Sequence, residues 1–388
     1  MKGTLLLLLL LLLLPARALA EEPADVSMED GVAAWMETVD WSGMEALLYK
    51  LPEEARRVWG DTTVRERAEE LALSGTDTGG ASLKELLKGL LRQEGDRLAG
   101  TAATLTGLAL VGALAGALSD GKAGGAGEAA MFVCRCFTLT AALSALASGA
   151  KTAGECVNGL CGCMELAAPV LTALLTALGA VSTVGVFQPA MALLTDGVAG
   201  AMRGVVTPLA LCGGVVGLFD QLSERVRLTE LSACIRGGIK WTIGLTTTLY
   251  AGITALFGVT AAARDGVAIR TAKYAAGRAL PAVSGLVTGS FDTVVGCAGL
   301  VKNAVGTVLI LLGAAAVLSP LVRLLVTVLM LRLTAAVTEP VAEKRHTGML
   351  KAGADALSVL LSACAAVSAM FLMTLGLVVG LGSGGYAG

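Results

Sequence analysis

Eight apolar stretches, each about the length needed to cross a bilayer, constrain this chain more than any other feature. A transmembrane helix needs about 20 consecutive apolar residues, because a hydrocarbon core is about 30 Å thick and a helix rises about 1.5 Å per residue. In lipid only helices and closed barrels satisfy every backbone polar group. The sequence therefore predicts an all-α, polytopic helical membrane protein. The stretches fall at 99–118, 128–150, 165–187, 198–219, 241–262, 294–317, 318–338 and 353–381.

The composition supports a membrane protein and argues against a soluble enzyme. Hydrophobic residues make up 55% of the chain and charged residues 15%, whereas soluble domains carry about 25% charged residues. The 50 glycines fit this class, because small residues let membrane helices approach closely.

The first 20 residues have the pattern of a secretory signal peptide. Lys2 gives a positive start, an unbroken leucine run covers 5–14, and Pro15 ends it. Ala18 and Ala20 supply the small residues that a signal peptidase requires. We expect cleavage after Ala20, which places the following residues outside the cytosol; the alternative is an uncleaved anchor.

Residues 21–98 form a short acidic segment, predicted to be extracytoplasmic and helical. The segment carries 18 acidic and nine basic residues. Three capping-box patterns predict helix starts, at Ser42 with Glu45, Thr63 with Glu66, and Ser82 with Glu85. The segment either packs as a small bundle on itself or on the membrane surface, or it is a docking surface for a partner protein.

Residues 99–388 are predicted to be a membrane domain with six to eight spans. With an outside start, the loops at 120–127, 188–197, 263–280 and 339–352 would be inside, and those at 151–164 and 220–240 outside. The inside loops then carry eight basic residues and the outside loops five, a weak bias of the expected sign. The 220–240 stretch, with four basic residues, is the misfit. One of the windows 128–150 and 198–219 is therefore a candidate re-entrant or interfacial helix.

The tract 278–318 is the candidate functional region. It combines helix-weakening residues with charged and amide side chains in apolar sequence, which favours a broken helix or re-entrant hairpin facing protein or water. The residues could line a pore or gate, or they could serve helix packing and structural pairing. The candidates are Arg278, Pro281, Gly285, Gly289, Asp292, Lys302 and Asn303.

The remaining residues give few candidates for catalysis or metal binding. Cys156, Cys161 and Cys163 fall in a predicted outside loop, where they could form a disulfide, remain free thiols or, least favoured, bind a metal. The single histidine, His346, is expected to be solvated in a loop. No phosphate loop or hydrolase motif occurs. We therefore expect no enzyme activity, no cofactor, no metal site and no nucleic-acid binding.

Three tracts resemble the stage III sporulation protein AE family of endospore-forming bacteria. The similarity is strongest along the 17 residues that begin Arg278-Ala-Leu-Pro-Ala-Val-Ser-Gly and along Val301-Lys-Asn-Ala-Val-Gly306. It extends to Lys240-Trp-Thr-Ile-Gly-Leu-Thr-Thr-Thr and to the order of leader, acidic segment and spans.

The resemblance implies a non-enzymatic subunit of a secretion-like channel complex that links mother cell and forespore. Its partners would be other membrane subunits, ring-forming subunits and membrane lipid. The subunit would lie in the mother-cell membrane around the forespore, with its N-terminal segment facing the intermembrane space. The alternatives are a secondary transporter or permease that acts alone, and a membrane scaffold for ring proteins.

Overall fold

The structure is a computed structural model that describes residues 28–50, 56, 59–60, 62–74, 79–119, 124–177, 181–222, 228–279 and 284–380. It describes only the backbone of residues 28–29, 50, 74, 79–86, 115–119, 124–126, 128, 177, 181–183, 186–188, 257–279, 284–295 and 377–380. The predicted signal peptide, 1–20, lies outside the described residues.

Helices dominate the described residues, which contain no strand. A π-helical turn, Met202–Val206, joins α6 to α7. The α-helices are α1 (Met28–Thr38), α2 (Ser42–Lys50), α3 (Val64–Ser74), α4 (Gly79–Ser119), α5 (Gly124–Ala177), α6 (Val181–Ala201), α7 (Thr207–Asp220), α8 (Thr229–Ala279), α9 (Ser284–Thr338) and α10 (Lys344–Gly380).

The predicted capping boxes have three different outcomes. At α3 the box forms as predicted: the Thr63 backbone N–H donates to the Glu66 carboxylate at 2.9 Å, and the Glu66 N–H donates to the Thr63 hydroxyl at 3.2 Å. At α2, Asp40 takes the capping role, because its carboxylate accepts the Ser42 N–H at 3.0 Å. The third box is wrong as a helix start, since α4 already begins at Gly79. Sequence analysis missed α1.

The long helices pack side by side, some antiparallel and some parallel to their neighbours. Gly313 of α9 faces Phe371 of α10, and Gly353 of α10 faces Leu331 of α9, so these two helices are antiparallel. The α5 helix runs parallel to α10, because Thr138 contacts His346 and Ala153 contacts Cys364. The buried core lies mainly between α5, α9 and α10.

The bundle has two ends. The proximal end is the one where α9 finishes and α10 begins, at 338–344. The α8 helix starts near this end, since Arg236 contacts Asp355 of α10. The distal end is opposite, and α8 runs towards it as one helix as far as Ala279.

Five segments of the described residues are long and apolar enough to cross a membrane. They are Leu87–Leu114, Ala129–Thr176, Pro189–Asp220, Gly296–Thr338 and Lys344–Gly376. The predicted window at 241–262 lies in α8, whose side chains are described only to residue 256. The all-helical, multi-span architecture agrees with the sequence prediction.

Several predicted loops are helical instead. Residues 151–164 lie inside α5, 188–197 inside α6, and 263–279 inside α8. The windows 294–317 and 318–338 form one helix, α9, which continues through Pro320. Glycine and polar residues in these tracts mimic loops in the sequence; for 151–164, contacts of α5 with α2, α9 and α10 keep the backbone helical.

The N-terminal helices pack on the membrane-spanning helices rather than forming a separate bundle. Helices α1 and α3 lie against α9, and α2 lies against α5. Gly31 of α1 faces Cys297, and Trp35 packs on Ala298. Gly43 of α2 faces Leu166 of α5. The acidic segment is thereby part of the wall of the bundle, an arrangement that differs from both a separate bundle and a helix on the membrane surface.

Candidate functional site: a polar groove along α5 and α9

The predicted tract around Pro281 is described only in part. Pro281 lies outside the described residues, and only the backbone is described at Arg278, Gly285, Gly289 and Asp292. From Ser284 to Thr338 the chain is one helix, so the predicted break is absent from this range. Within the predicted tract 278–318, the described part from Ser284 onward is therefore a continuous helix, and the pore or gate role of these residues stays a prediction.

Lys302 and Asn303 are adjacent in sequence but face different surroundings. Lys302 is 1% exposed, whereas Asn303 is exposed. Lys302 follows Ala298 by one helical turn and therefore lies on the face of α9 that packs under α1. Burial of a lysine is costly without compensating polar contacts, so a charged side chain at this position is exceptional within the apolar surroundings of α9.

The three candidate disulfide cysteines lie in a helix, not in a loop. Cys156, Cys161 and Cys163 are buried in α5, and all three are free thiols. Residues two or five apart on an α-helix point in different directions, and residues seven apart are separated by about 10.5 Å along the axis, so the helix opposes a disulfide between any two of the three. The Cys156 thiol instead hydrogen-bonds with Cys364 of α10.

Two cavities follow the contact between α5 and α9, and we call them together the seam groove. The first, about 450 Å³, lies between α2, α5 and α9, and includes Asn158 and Ser319 in its wall. The second, about 360 Å³, lies between α4, α5 and α9, and includes Thr101 and Thr327. Both cavities are bordered by Thr152 and Arg323. The groove thus places hydroxyl, amide and charged side chains along the contact between α5 and α9.

Sequence analysis missed the seam groove, although a signal for it exists. Ser144, Ser148 and Thr152 recur every four residues and form a hydroxyl stripe on one face of α5. The predicted loop at 151–164 split this stripe between a span and a loop. Arg323, a charged residue within an apolar stretch of spanning length, borders both cavities.

Ion pairs join the helices at the proximal end. Arg135 of α5 donates through Nε and Nη2 to the two carboxylate oxygens of Glu343, at 2.9 and 2.5 Å. Asp355 of α10 lies 3.4 Å from a guanidinium nitrogen of Arg236 and 3.3 Å from one of Arg332. Arg135 and Arg332 therefore pair, as charges in spans are expected to do.

His346 is buried, and the prediction of a solvated loop residue was wrong. It is 4% exposed, and its Nδ1 lies 3.0 Å from the Thr138 hydroxyl. The same hydroxyl lies 2.9 Å from the Cys134 carbonyl, which it can also bond, and the tautomer of His346 sets which atom donates between Thr138 and Nδ1. Nε2 has no hydrogen-bond partner in the described part of the chain. His346 thus fastens α10 to α5.

The described residues contain no group of three or more His, Cys, Asp or Glu side chains arranged to hold a metal ion. The polar side chains of the seam groove are hydroxyls, amides, carboxylates and guanidinium groups. They favour binding a polar group over covalent chemistry.

A comparison with protein families decides the classification. Residues 69–382 match the family model described as stage III sporulation protein AE. The chain belongs to this family. The match begins inside α3 and runs through α10, so it includes the walls that α4, α5 and α9 contribute to the seam groove, and the end of the docked N-terminal segment. The protein is accordingly a sporulation membrane protein.

A curated relative carries the same name. The chain is 25% identical over 215 residues to the stage III sporulation protein AE of Bacillus subtilis (strain 168). The alignment covers 55% of this chain and 54% of the relative, so the chain spans about half the length of that curated relative. No solved structure matches this chain.

Proposed function

We propose that this protein is a non-enzymatic membrane subunit of a secretion-like channel complex linking mother cell and forespore. Its bundle lies in the mother-cell membrane around the forespore, and the N-terminal segment faces the intermembrane space. There it binds ring-forming subunits, while the apolar helices contact other membrane subunits. Family membership supports the sporulation role, and the docked acidic segment is the observation that carries the subunit role.

The N-terminal segment offers a fixed acidic surface. Because α1 and α3 pack on α9, the charges on their outer faces keep a constant position relative to the bundle. The Ser42 hydroxyl and backbone N–H hold the pKa of Asp40 below its usual value, so this carboxylate stays ionised at physiological pH. Exposed carboxylates of this surface are Asp30, Glu37, Asp40, Glu66 and Glu70. Such a surface suits a basic partner.

The charges of the proximal end support the orientation. The 220–240 stretch, which was the misfit among the predicted loops, lies near the same end of the bundle as 344–351, because α5 is one helix and 151–164 is not a loop. Cytosolic ends of membrane proteins are rich in Lys and Arg. Because α8 is one helix from Thr229 to Ala279, the tract 263–279 lies away from this end and is proposed to be on the outer side, where its basic residues count against the charge bias.

Site-specific photo-crosslinking in sporulating cells tests the proposed function. A photoreactive residue replaces Glu37 or Glu70 on the acidic surface, and the matched control replaces Leu193, exposed on α6. We expect the first two positions to capture ring-forming sporulation proteins and Leu193 not to do so. The opposite outcome has two parts: neither position captures a ring-forming protein, and the purified protein alone transports a substrate in liposomes. That outcome would favour an independent transporter.

A further inference from the structure

We propose that the seam groove binds a phosphate group and that Arg323 is the residue that holds it. The two cavities meet at Arg323 and Thr152, so one guanidinium serves both. The phosphate could belong to the headgroup of a phospholipid or to a soluble phosphate compound. This inference does not depend on the proposed channel complex.

The charge balance of the groove singles out Arg323. Glu94 lies 3.8 Å from Arg97, and Glu155 lies 3.9 Å from Lys151, so each carboxylate has its own basic neighbour. Within the described ranges, Arg323 forms no ion pair of this kind. Among the charged side chains of the cavity walls, Arg323 is therefore the one without an ion-pair contact in the described residues, and an anion would supply that contact.

The cavity walls are suited to a hydrated polar group. Pro320 has no N–H, so it cannot bond the carbonyl of Ala316 four residues earlier, and both residues line the 450 Å³ cavity. Ser319 and Asn158 add a hydroxyl and an amide to the same wall. A freed carbonyl in a span needs water or another polar partner, which indicates that this cavity is wet.

Phosphate fits this site better than a carboxylate alone. A guanidinium is a planar fork that binds two oxygens of a phosphate at once. Each cavity is within the size range of small-molecule sites, about 300–1,000 Å³. The 360 Å³ cavity also has an apolar side made by Leu98, Leu324 and Met330, which suits the glycerol and first acyl carbons of a lipid.

Binding to the purified full chain in a neutral detergent tests the proposal. Phosphatidylglycerol and inorganic phosphate are titrated separately, and retention is followed by native mass spectrometry and thermal melting. A diacylglycerol glycolipid without phosphate is the control ligand. We expect the wild-type protein to bind at least one phosphate probe and Arg323→Gln to bind it about tenfold more weakly, since a charge-assisted contact is lost.

Matched variants separate site binding from general effects. Arg323→Lys keeps the charge but loses the fork, so its affinity should lie between those of the wild type and Arg323→Gln. Arg203→Gln removes an exposed arginine of the π-helical turn and should bind like the wild type. If circular dichroism shows that Arg323→Gln does not fold, the affinity of Arg323→Lys relative to the wild type decides the test.

Each outcome of these titrations either supports the phosphate site or overturns it. Arg323-dependent binding of phosphatidylglycerol alone assigns the phosphate to a lipid headgroup, whereas Arg323-dependent binding of inorganic phosphate assigns it to a soluble compound. Either result supports the site. Equal affinity of the wild type and both Arg323 variants, or equal binding of the phosphate-free glycolipid, overturns it.

Discussion

Gly313 of α9 lies directly against the ring of Phe371 of α10. A Cβ atom added to Gly313 would lie 2.1 Å from Cε1 of that ring, far inside van der Waals contact. Phe371 is itself buried, so its ring has little room to move. The close approach of the two helices at this level therefore depends on the absence of a side chain, as is common between membrane helices.

Gly313→Ala should destabilise the protein by about 1–3 kcal/mol, the usual cost of overpacking a filled core. The matched control is Gly299→Ala on the same helix, where an added Cβ meets nothing within 4 Å. Thermal melting in detergent measures both. We expect a lower melting temperature for Gly313→Ala and no decrease for Gly299→Ala; equal melting temperatures would mean that α9 and α10 are not this close.

The course of α8 and α9 predicts which sites are labelled from the same side of the membrane. In a cysteine-free protein, Thr229→Cys and Val341→Cys should react with an impermeant thiol reagent from one side, because both are at the proximal end. Thr62→Cys, in the N-terminal segment, should react from the opposite side. Labelling of Thr229→Cys and Val341→Cys from different sides would show that α8 and α9 do not run as described.

Lys302 tests the docking of the N-terminal segment. Lys302→Glu places a buried negative charge beneath an acidic segment, so we expect α1 and α3 to loosen from α9. Faster amide hydrogen exchange in 64–74 measures this loosening. The control is Asn303→Glu, which adds the same charge on an exposed face of the same helix and should leave exchange unchanged. Unchanged exchange in both variants would mean that Lys302 has no part in docking.

The cysteines distinguish the observed helix packing from the predicted loop. In a variant that keeps only Cys156 and Cys364, mild oxidation should give a disulfide, because these two thiols are in contact between α5 and α10. A variant that keeps only Cys156 and Cys161 should give none. Peptide mass spectrometry without reduction detects either product, and a Cys156–Cys161 bond would restore the predicted loop.

The sequence alone determined the class of the protein and its family. Runs of about 20 apolar residues are more stable in the hydrocarbon core of a membrane than in water. The spanning helices can therefore be predicted from the length and composition of these runs. The Thr63–Glu66 capping box was readable because its hydrogen bonds join residues three apart, within one turn. The family resemblance could likewise be recognised from the sequence, because it lies in short continuous tracts.

Only the tertiary structure decided how these helices continue, pair and bury their polar residues. Residues 151–164 look like a loop by composition, but contacts of α5 with α2, α9 and α10 keep them helical. His346 is polar in sequence yet buried, because its partner Thr138 lies 208 residues away. Arg323, likewise, borders a groove built from helices that are distant in sequence. Local patterns record the chain's own turn-by-turn preferences, whereas burial depends on which distant surfaces meet, and no single tract carries that information.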